Sequence, residues 1–445
     1  MLLTIEKLIY GGDGLAHLPP DESGRGKAAF VPFVLSGEKV EASLGEQKSG
    51  FVRAKAEAII EASPNRIQPL CPYFGSCGGC HYQHASYEHQ LEIKSEILRE
   101  NLRRIAKLDL QCEIQVHASP PWNYRNRSRL QIRAGPSFAI GYFKTASRDL
   151  QVVEECPISS PLINRGIRVV WQIGNLGKTP EGVRELEFFA DAGDGKLLIE
   201  VFCAAETRRA AVRLWAEELQ AAMPEISGLV AFRDERSKPQ SQFEPPLLIL
   251  GDGDLAYRVQ GAAYRVSAGA FFQTNRHLTD DLVNIVVQGQ RGELALDLYA
   301  GVGLFSTALA RNFRHIVSVE SSQISAKDLV YNLPSHGEVI QATTEQFLSR
   351  WESTGRVGKG AIPAHLLHMP DLTVVDPPRS GLGERVARSL AKKGAPRIIY
   401  VSCDPATLAR DLVSLRTAGY RIEQAHLVDL FPQTYHVESV IHLVR

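Results

Sequence analysis

Residues 295–310 read ALDLYAGVGLFSTALA: an apolar run, a turn that contains Gly301 and Gly303, and a second apolar run of helical character. The pattern predicts a strand that ends just before the glycines and a helix that begins just after them. Glycine lets the backbone turn sharply and lets a ligand approach the free N–H groups at the start of a helix. Ser306 stands where a dinucleotide-binding loop carries its third glycine, so the loop favours a ligand other than NAD.

Strands and helices alternate from about residue 267 to residue 445. The apolar runs LALDLY, HIVSVE, LTVVD and RIIYVS are each followed by a stretch of helical character. This order predicts an α/β domain with a Rossmann-like, doubly wound parallel sheet that binds ligands at the carboxyl ends of its strands. Glu320 ends the second strand and is placed to accept hydrogen bonds from both hydroxyls of a ribose. A tight turn with a surface glutamate is the alternative for this region.

The chain before residue 267 has a different organisation. Residues 1–62 are short strand patterns broken by glycine turns, which predict a small OB-like β-barrel. Residues 63–266 are mostly strand-like and predict a middle domain of mixed α+β character. Within it, apolar residues with a period of about 3.6 predict an amphipathic helix over 86–108. We therefore expect three domains, over 1–62, 63–266 and 267–445.

The composition limits the possible partners and the location. Fifty Lys and Arg residues balance fifty Asp and Glu residues, so a polyanion must be held by a local patch of positive charge. The neutral net charge is mild evidence against a nucleic-acid partner. The amino terminus lacks a signal-peptide pattern, and no window approaches the ~20 apolar residues that span a bilayer. We expect a cytoplasmic protein without a membrane partner, and no obligate protein partner is evident.

Cys403 is a candidate nucleophile. It follows the predicted strand RIIYVS and precedes Asp404 and Pro405, a favourable N-cap and first-turn pair for the helix that follows. A thiol at the amino terminus of a helix lies in positive partial charge, so we expect a lowered pKa and an accessible thiolate. Such a thiolate is suited to nucleophilic catalysis. A buried structural cysteine is the alternative when the residue is considered alone.

Five separated motifs resemble one family. The strings FFQTN, DLYAGVGLFS, DPPRSGL, VSCDPATLARDL and FPQTYHVESV occur in that order. Together they resemble the uridine-C5 RNA methyltransferases, which make 5-methyluridine in ribosomal and transfer RNA. The resemblance runs from the amino-terminal barrel, which looks like the TRAM domain of that family, to the last strand. It implies a methyltransferase dependent on S-adenosylmethionine, and a helix over 86–108 that packs on the catalytic domain.

The resemblance also implies roles for individual residues. Cys403 would add to C6 of uracil, so that C5 becomes nucleophilic enough to take a methyl group. Glu438 would then remove the C5 proton as a general base. The residues expected to contact the cofactor, some of them also near the base, are Gln273, Tyr299, Gly301, Gly303, Glu320 and Asp376. Without the family, Glu438 would be interpreted as a solvated strand carboxylate.

A second set of cysteines suggests a metal site. Cys71, Cys77 and Cys80 have the spacing C-x5-C-x2-C, and Cys156 follows later. Four thiolates can hold an iron–sulfur cluster or a zinc ion, and the spacing alone does not choose between them. One branch of the family binds a [4Fe-4S] cluster through cysteines at this spacing. The resemblance therefore implies a [4Fe-4S] cluster with a structural or RNA-positioning role.

An arginine-rich stretch is the candidate RNA contact. Residues 114–148 contain no acidic residue, and Arg125, Arg127 and Arg129 alternate so that they would share one face of a strand, with Arg133 beyond them. Cations beside aromatic side chains are a common means of binding single-stranded RNA. A solvated strand face is the alternative. The target uridine would have to leave its stack for a thiol to reach it.

The preferred substrate is 23S ribosomal RNA, because the barrel and the cysteine set resemble the ribosomal branch of the family. Transfer RNA is the alternative for the same chemistry. Methylation of an exocyclic amine is less favoured, because Arg379 stands where those enzymes carry an aromatic residue after a proline pair. Cytosine-C5 methylation is less favoured because the loop reads DPPRSG and lacks a second cysteine. A non-catalytic iron–sulfur RNA-binding protein remains as the rival outside enzymes.

Overall fold

The computed structural model describes residues 1–19, 26–233, 245–353 and 368–445. The amino-terminal strands are Leu2–Thr4 (β1), Lys7–Leu8 (β2), Asp13–His17 (β3), Ala28–Pro32 (β4), Lys39–Gln47 (β5) and Phe51–Glu61 (β6). Their order in the sheet is β1-β5-β6-β4-β3-β2. Alternate side chains such as Val31, Val40 and Val52 are buried between the strands. The sheet is curled in the OB-like manner that the sequence predicts.

The next two elements join the carboxy-terminal part of the chain. Helix α1 (Tyr87–Ile105) begins at Ser86, whose side chain accepts a hydrogen bond from the backbone N–H of His89. Its apolar face, which includes Ile93, Ile97 and Leu102, lies in the same hydrophobic core as the carboxy-terminal sheet. Strand β7 (Ile114–His117) adds to the edge of that sheet.

The middle of the chain forms a sheet of its own. Its strands are Arg127–Arg133 (β8), Ala139–Phe143 (β9), Leu150–Val152 (β10), Val183–Ala190 (β11), Leu197–Cys203 (β12), Ile226–Arg233 (β13) and Leu248–Gly251 (β14). Helices α2 (Pro161–Asn175) and α3 (Arg209–Ala222) share its hydrophobic core. The pairing is mostly antiparallel, with β12 and β13 parallel. A hairpin of Asp254–Val259 (β15) and Ala262–Ser267 (β16) leads out of this region.

The carboxy-terminal sheet has the predicted Rossmann-like topology. Its strands are Gly292–Leu298 (β17), Phe313–Glu320 (β18), Gly337–Gln341 (β19), Leu372–Val375 (β20), Arg397–Ser402 (β21), Arg421–Val428 (β22) and Ser439–Val444 (β23). The described helices around it are Thr279–Val287 (α4), Leu304–Leu309 (α5), Gln323–Asn332 (α6), Thr344–Ser353 (α7), Gly383–Lys393 (α8) and Pro405–Thr417 (α9). The strand order is β19-β18-β17-β20-β21-β23-β22-β7.

This topology assembles the candidate site. Strands β17 to β21 run parallel, and β23 is antiparallel to both of its neighbours. The carboxyl ends of parallel strands meet at one edge, where open α/β sheets bind their ligands. Tyr299, Glu320, Asp376 and Cys403 therefore lie at the same edge of the sheet. Among the described helices, none is long and apolar enough to cross a membrane.

Candidate active site

The glycine turn between β17 and α5 has the backbone geometry that the sequence requires. Gly301 and Gly303 have φ values of 56° and 94°, a region that favours glycine. A Cβ on Gly303 would lie 2.6 Å from Cδ1 of Leu329, so a side chain does not fit there. The backbone N–H of Gly301 donates to Oε2 of Glu320 at 2.8 Å. Glu320, for which the sequence predicts contact with a ribose, therefore holds the turn in place.

Asp297, on the strand before the turn, is a functional candidate that the sequence analysis missed. Its side chain is fully buried, and Oδ2 accepts a hydrogen bond from Oγ of Ser306. Its other oxygen, Oδ1, is buried without a hydrogen-bond partner in the part of the chain that the structure describes. Burial raises the pKa of Asp297 to about 7, against the hydrogen bonds from Ser306. An acidic residue in the strand that leads into a glycine turn was the available signal.

Cys403 lies at the end of β21, directly before α9. Asp404 caps the helix, since its Oδ1 accepts from the backbone N–H groups of Ala406 and Thr407 at 3.0 and 2.9 Å. Burial, followed by the nearby carboxylates of Glu438 and Asp376, raises the pKa of the Cys403 thiol to about 12. The prediction of a lowered pKa is therefore wrong. The capping carboxylate takes up the helix N–H groups, and the acidic neighbours disfavour a thiolate.

Ionisable side chains near the thiol include Glu438, Asp376, Arg379 and Asp404. Burial raises the pKa of Glu438 well above its ordinary value, with a further contribution from Asp376 and an opposing one from Arg379. Burial and the neighbouring Asp297 raise the pKa of Asp376 to about 7. The structure thus brings Cys403, Glu438 and Asp376 together: Asp376 follows β20, Cys403 follows β21, and Glu438 directly precedes the antiparallel strand β23. Two buried acids beside a thiol are an arrangement suited to moving protons.

The amino-terminal barrel also reaches this centre. The hydroxyl of Tyr10 donates to the backbone carbonyl of Cys403 at 3.2 Å. The Tyr10 ring meets the ring of Tyr435 edge-on, with centroids 5.6 Å apart, and Tyr435 also contacts His81 at 4.5 Å. The barrel therefore forms part of the wall around the cysteine. Nothing in the local sequence near residue 10 indicated this contact.

Helix α1 supports the segment 429–436, which leads to Glu438. Nζ of Lys94 donates to Oδ1 of Asp429 at 2.6 Å and to the carbonyl of Phe431 at 2.9 Å. Both charged side chains of this ion pair are fully buried. Two further hydrogen bonds join Gln90 and Gln433: Nε2 of Gln90 donates to Oε1 of Gln433, and the backbone N–H of Gln433 donates to Oε1 of Gln90. The predicted helix over 86–108 thus helps to position the general-base candidate.

Gln273 is 8% exposed and lies in the loop between β16 and α4. Segment 124–127 stabilises this loop: the backbone N–H of Asn126 donates to the carbonyl of Thr274, and Nη1 of Arg127 donates to the carbonyl of Ala270.

Tyr299, directly before the glycine turn, has a φ of 63°. Burial raises the pKa of its phenol to about 12, and the phenol is in hydrogen-bonding contact with Thr344.

The arginines predicted to share one RNA-binding face have different surroundings in the structure. Arg127 is 11% exposed and forms ion pairs with Glu187 and Glu200, so the prediction that it meets RNA phosphates is wrong. Arg129 is 46% exposed and pairs with Glu185 at 2.6 Å. Nε of Arg125 donates to the carbonyl of Arg127, while Arg133 is exposed at the end of β8. The acidic partners come from β11 and β12, which lie far away in the sequence.

The four cysteines of the second set lie around one cavity. Cys71, Cys77, Cys80 and Cys156 all line a space of about 220 Å³, together with Arg125 and other side chains. Burial raises the pKa of Cys77 to about 11 and that of Cys80 further, and the sulfur of Cys156 contributes to both shifts. Within the described residues, no three His, Cys, Asp or Glu side chains are close enough to hold a single metal ion.

Comparisons with known proteins identify the family. The sequence profile of the tRNA (uracil-5-)-methyltransferases matches residues 252–445. A 23S rRNA (uracil(1939)-C(5))-methyltransferase of Pseudomonas fluorescens is 31% identical over 98% of this chain and 92% of its own length. The chain belongs to the RNA uracil-5-methyltransferase family. An uncharacterised RNA methyltransferase of Aquifex aeolicus is also 31% identical to this methyltransferase, over 98% of this chain and 97% of the relative.

The fold of this methyltransferase has a counterpart among solved structures. A Pyrococcus abyssi tRNA (uracil-54, C5)-methyltransferase in complex with S-adenosyl-L-homocysteine superposes with a TM-score of 0.73. The alignment covers 100% of both chains at 24% identity. The likeness therefore includes the barrel, the middle sheet and the carboxy-terminal sheet.

Proposed function

We propose that this methyltransferase transfers the methyl group of S-adenosylmethionine to C5 of a uridine in 23S ribosomal RNA. The observation that carries the proposal is the convergence of Cys403, Glu438 and Asp376 beside the glycine turn. The relative from Pseudomonas fluorescens, which by its name acts on a uracil of 23S ribosomal RNA, supports the choice of substrate.

The chain's own residues account for the steps at the base. The Cys403 thiol loses its proton to solvent, the thiolate sulfur bonds to C6 of the uracil, and the C5=C6 π pair moves toward O4, which makes C5 nucleophilic. S-adenosylmethionine supplies an electrophilic methyl group on its sulfonium. After C5 has formed its bond to the methyl carbon, Glu438 removes the C5 proton. The electrons of that C–H bond re-form C5=C6, and the Cys403 sulfur leaves. Burial raises the pKa of Glu438, so its carboxyl must first lose its own proton, and the carboxylate that results is the stronger base.

The residues at the glycine turn fit the cofactor. The unpartnered oxygen of Asp297, in the strand that leads into the turn, offers an acceptor to the cofactor. The residues proposed to hold S-adenosylmethionine are Gln273, Asp297, Tyr299, Gly301, Gly303, Glu320 and Asp376. Asp297 and Asp376 would compensate the positive charge that the cofactor carries.

A consequence for Cys403 can be measured without RNA. A positive charge about 4 Å from the thiol, at an effective dielectric constant of ~20, is worth ~4 kcal/mol. We therefore expect S-adenosylmethionine, a cation at sulfur, to lower the raised pKa of Cys403 more than the neutral-sulfur product S-adenosylhomocysteine does. We follow the alkylation of Cys403 by iodoacetamide at pH 8 with peptide mass spectrometry. The rate should be at least about tenfold higher with S-adenosylmethionine than with S-adenosylhomocysteine.

Cys112 provides the internal control, because it lies outside the site and its alkylation rate should not depend on the ligand. The thiolate fraction of Cys403 should also rise with pH, since its pKa of about 12 lies above the measured range. If Cys403 were alkylated at the same rate with both ligands, the proposed position of the sulfonium would be contradicted.

We also propose that Cys71, Cys77, Cys80 and Cys156 hold a [4Fe-4S] cluster. A single zinc ion with Zn–S bonds of about 2.3 Å would need its sulfurs about 3.8 Å apart. The four thiols line a cavity of about 220 Å³, which is more space than one zinc ion fills. This arrangement supports the larger group. The cluster would connect the segment 71–81 to the middle sheet.

Replacing Cys80 by serine should remove most of the bound iron and sulfide, because a hydroxyl is a poor ligand for such a cluster. Iron and sulfide would be measured chemically in protein purified without oxygen, together with the visible absorbance. Cys112→Ser is the matched control and should retain the cluster. Zinc instead of iron in the unaltered protein would contradict the proposal.

RNA would bind across the barrel, proposed to be a TRAM domain, and the arginines of the middle domain: Arg129 and Arg133, which are exposed, and Arg125, which is partly exposed. The target uridine would flip out of its stack, at a cost of a few kcal/mol. Transfer RNA is the second candidate substrate, because the matching profile is named for it.

Mass mapping decides between the two substrates. Both RNAs would be isolated from a strain that lacks the gene and compared with RNA from the parent strain. Loss of one 5-methyluridine from 23S ribosomal RNA supports the proposal, and loss from transfer RNA alone supports the second candidate. An unchanged set of 5-methyluridines in both RNAs would contradict the activity.

A further inference from the structure

A second cavity, of about 360 Å³, lies where the barrel meets the cysteine-rich segment. The lining residues that matter here are Tyr10, Asp13, Phe30, Phe33, Arg53 and His81. Four of these are aromatic or imidazole rings and two are charged. Concave sites that combine flat apolar walls with a few polar groups are typical of small planar ligands.

This cavity is next to the catalytic centre. Tyr10 lines it, and the hydroxyl of the same residue donates to the carbonyl of Cys403 at 3.2 Å. His81 also lines it, and its backbone N–H donates to the carbonyl of Gln433, in the segment that leads to Glu438. A ligand in the cavity would therefore lie one side chain away from the reacting base. In an RNA chain, that distance places a near neighbour of the target nucleotide there.

Several polar groups in or beside the cavity have unused hydrogen-bonding capacity. Nδ1 of His81 is buried and has no partner within the described part of the chain, and the same holds for the hydroxyl of Tyr82. The carboxylate of Asp13 is 25% exposed, and its contact with Nη1 of Arg53 is long, at 3.6 Å. Unsatisfied buried polar groups are rare in folded proteins and need an explanation. A polar ligand would satisfy them.

We propose that this cavity binds the base of a guanosine close to the target uridine in the RNA. The inference rests on the proposed function, and it specifies which sequence the enzyme recognises. The Asp13 carboxylate accepts hydrogen bonds only. Guanine presents two adjacent donors, N1–H and N2–H, to such a group.

The other three bases fit the carboxylate less well. Uracil presents one donor between two carbonyl oxygens, which a carboxylate repels. Adenine and cytosine each place an acceptor nitrogen beside their amino group. The rings of Phe30 and Phe33 offer apolar surface to the base, and Arg53, whose side chain is 61% exposed, is available to a phosphate.

The test uses RNA fragments centred on the modified uridine, with four nucleotides on each side randomised. Sequencing the methylated fraction should show guanosine enriched about tenfold or more at one flanking position, the discrimination expected of a bidentate contact. Asp13→Asn keeps the shape but places an amide against the guanine donors, so the enrichment should disappear. Glu41→Gln removes an exposed carboxylate on β5 of the same barrel, and this variant should keep the guanosine enrichment. Thermal unfolding of each variant establishes that it is folded.

The outcomes separate this inference from the proposed function. If the unaltered enzyme methylates the pool without preferring guanosine, or if Asp13→Asn keeps the preference, the inference is overturned and the methyltransferase activity stands. If nothing is methylated, the proposed function fails. Calorimetric titration with guanosine and uridine monophosphates then decides the inference: binding of the guanosine nucleotide that Asp13→Asn loses supports it, and equal binding to both proteins overturns it.

Discussion

The Glu438→Gln variant is expected to remain covalently bonded to its RNA after the methyl group has been transferred. The sulfur of Cys403 can leave only when the C5 proton has been removed, and glutamine cannot act as the base at that position. Turnover should fall by about 10²–10⁴-fold, the usual contribution of a general base. The adduct would be detected as a protein–RNA band on a denaturing gel, and its mass should include the added methyl group.

Three variants control for this result. Cys403→Ala and the double variant Cys403→Ala/Glu438→Gln should form no adduct, because both lack the sulfur that bonds to C6. Glu423→Gln, which alters an exposed carboxylate on β22, should turn over normally. RNA with 5-fluorouridine at the target should trap the unaltered enzyme, because the C5 substituent blocks proton removal. Near-normal turnover by Glu438→Gln would show that another group is the base.

Lys94→Met is expected to cause the largest loss of stability, a decrease of ~3–5 kcal/mol in the free energy of unfolding. Lys94 and Asp429 form an ion pair that is fully buried, and methionine would leave the Asp429 carboxylate without a cation, with only the hydroxyl of Tyr87 donating to it among the described residues. Chemical denaturation monitored by circular dichroism measures the change. Methylation should fall as well, because the segment 429–436 leads to Glu438.

The double variant Lys94→Met/Asp429→Asn distinguishes the unpaired charge from lost packing. Because it removes both charges, it should recover much of the stability that Lys94→Met loses. Lys392→Met replaces an exposed lysine on α8 and should have little effect on unfolding. If Lys94→Met were as stable as Lys392→Met, the buried pair would not support this segment.

Much of the carboxy-terminal fold could be predicted, because its signals are local. The strand before Gly301 and the helix after it follow from apolar runs and from glycines that adopt positive φ. The alternation of such units predicts a parallel sheet, and a parallel sheet brings the residues at the ends of its strands to one edge. Helix α1 was likewise visible in its 3.6-residue period.

The incorrect predictions share a physical cause. Arg127 belongs to an alternating pattern, but Glu187 and Glu200 cover its guanidinium from other strands. Cys403 lies directly before helix α9, but burial and the carboxylates of Glu438 and Asp376 raise the pKa of its thiol. In each case the deciding neighbours lie far away in the sequence. A local pattern gives the secondary structure of a residue but not the charges that surround its side chain.

The sequence by itself determined the Rossmann-like sheet, the glycine turn, the family and the residues that end each strand, because these depend on local backbone preferences and on motif order. Only the tertiary structure decided that α1 and β7 complete the catalytic body, that Tyr10 of the barrel contacts the carbonyl of Cys403, and that Lys94 supports the segment before Glu438. These contacts join residues hundreds of positions apart, and burial and electrostatic pairing at such separations arise only when the chain has packed.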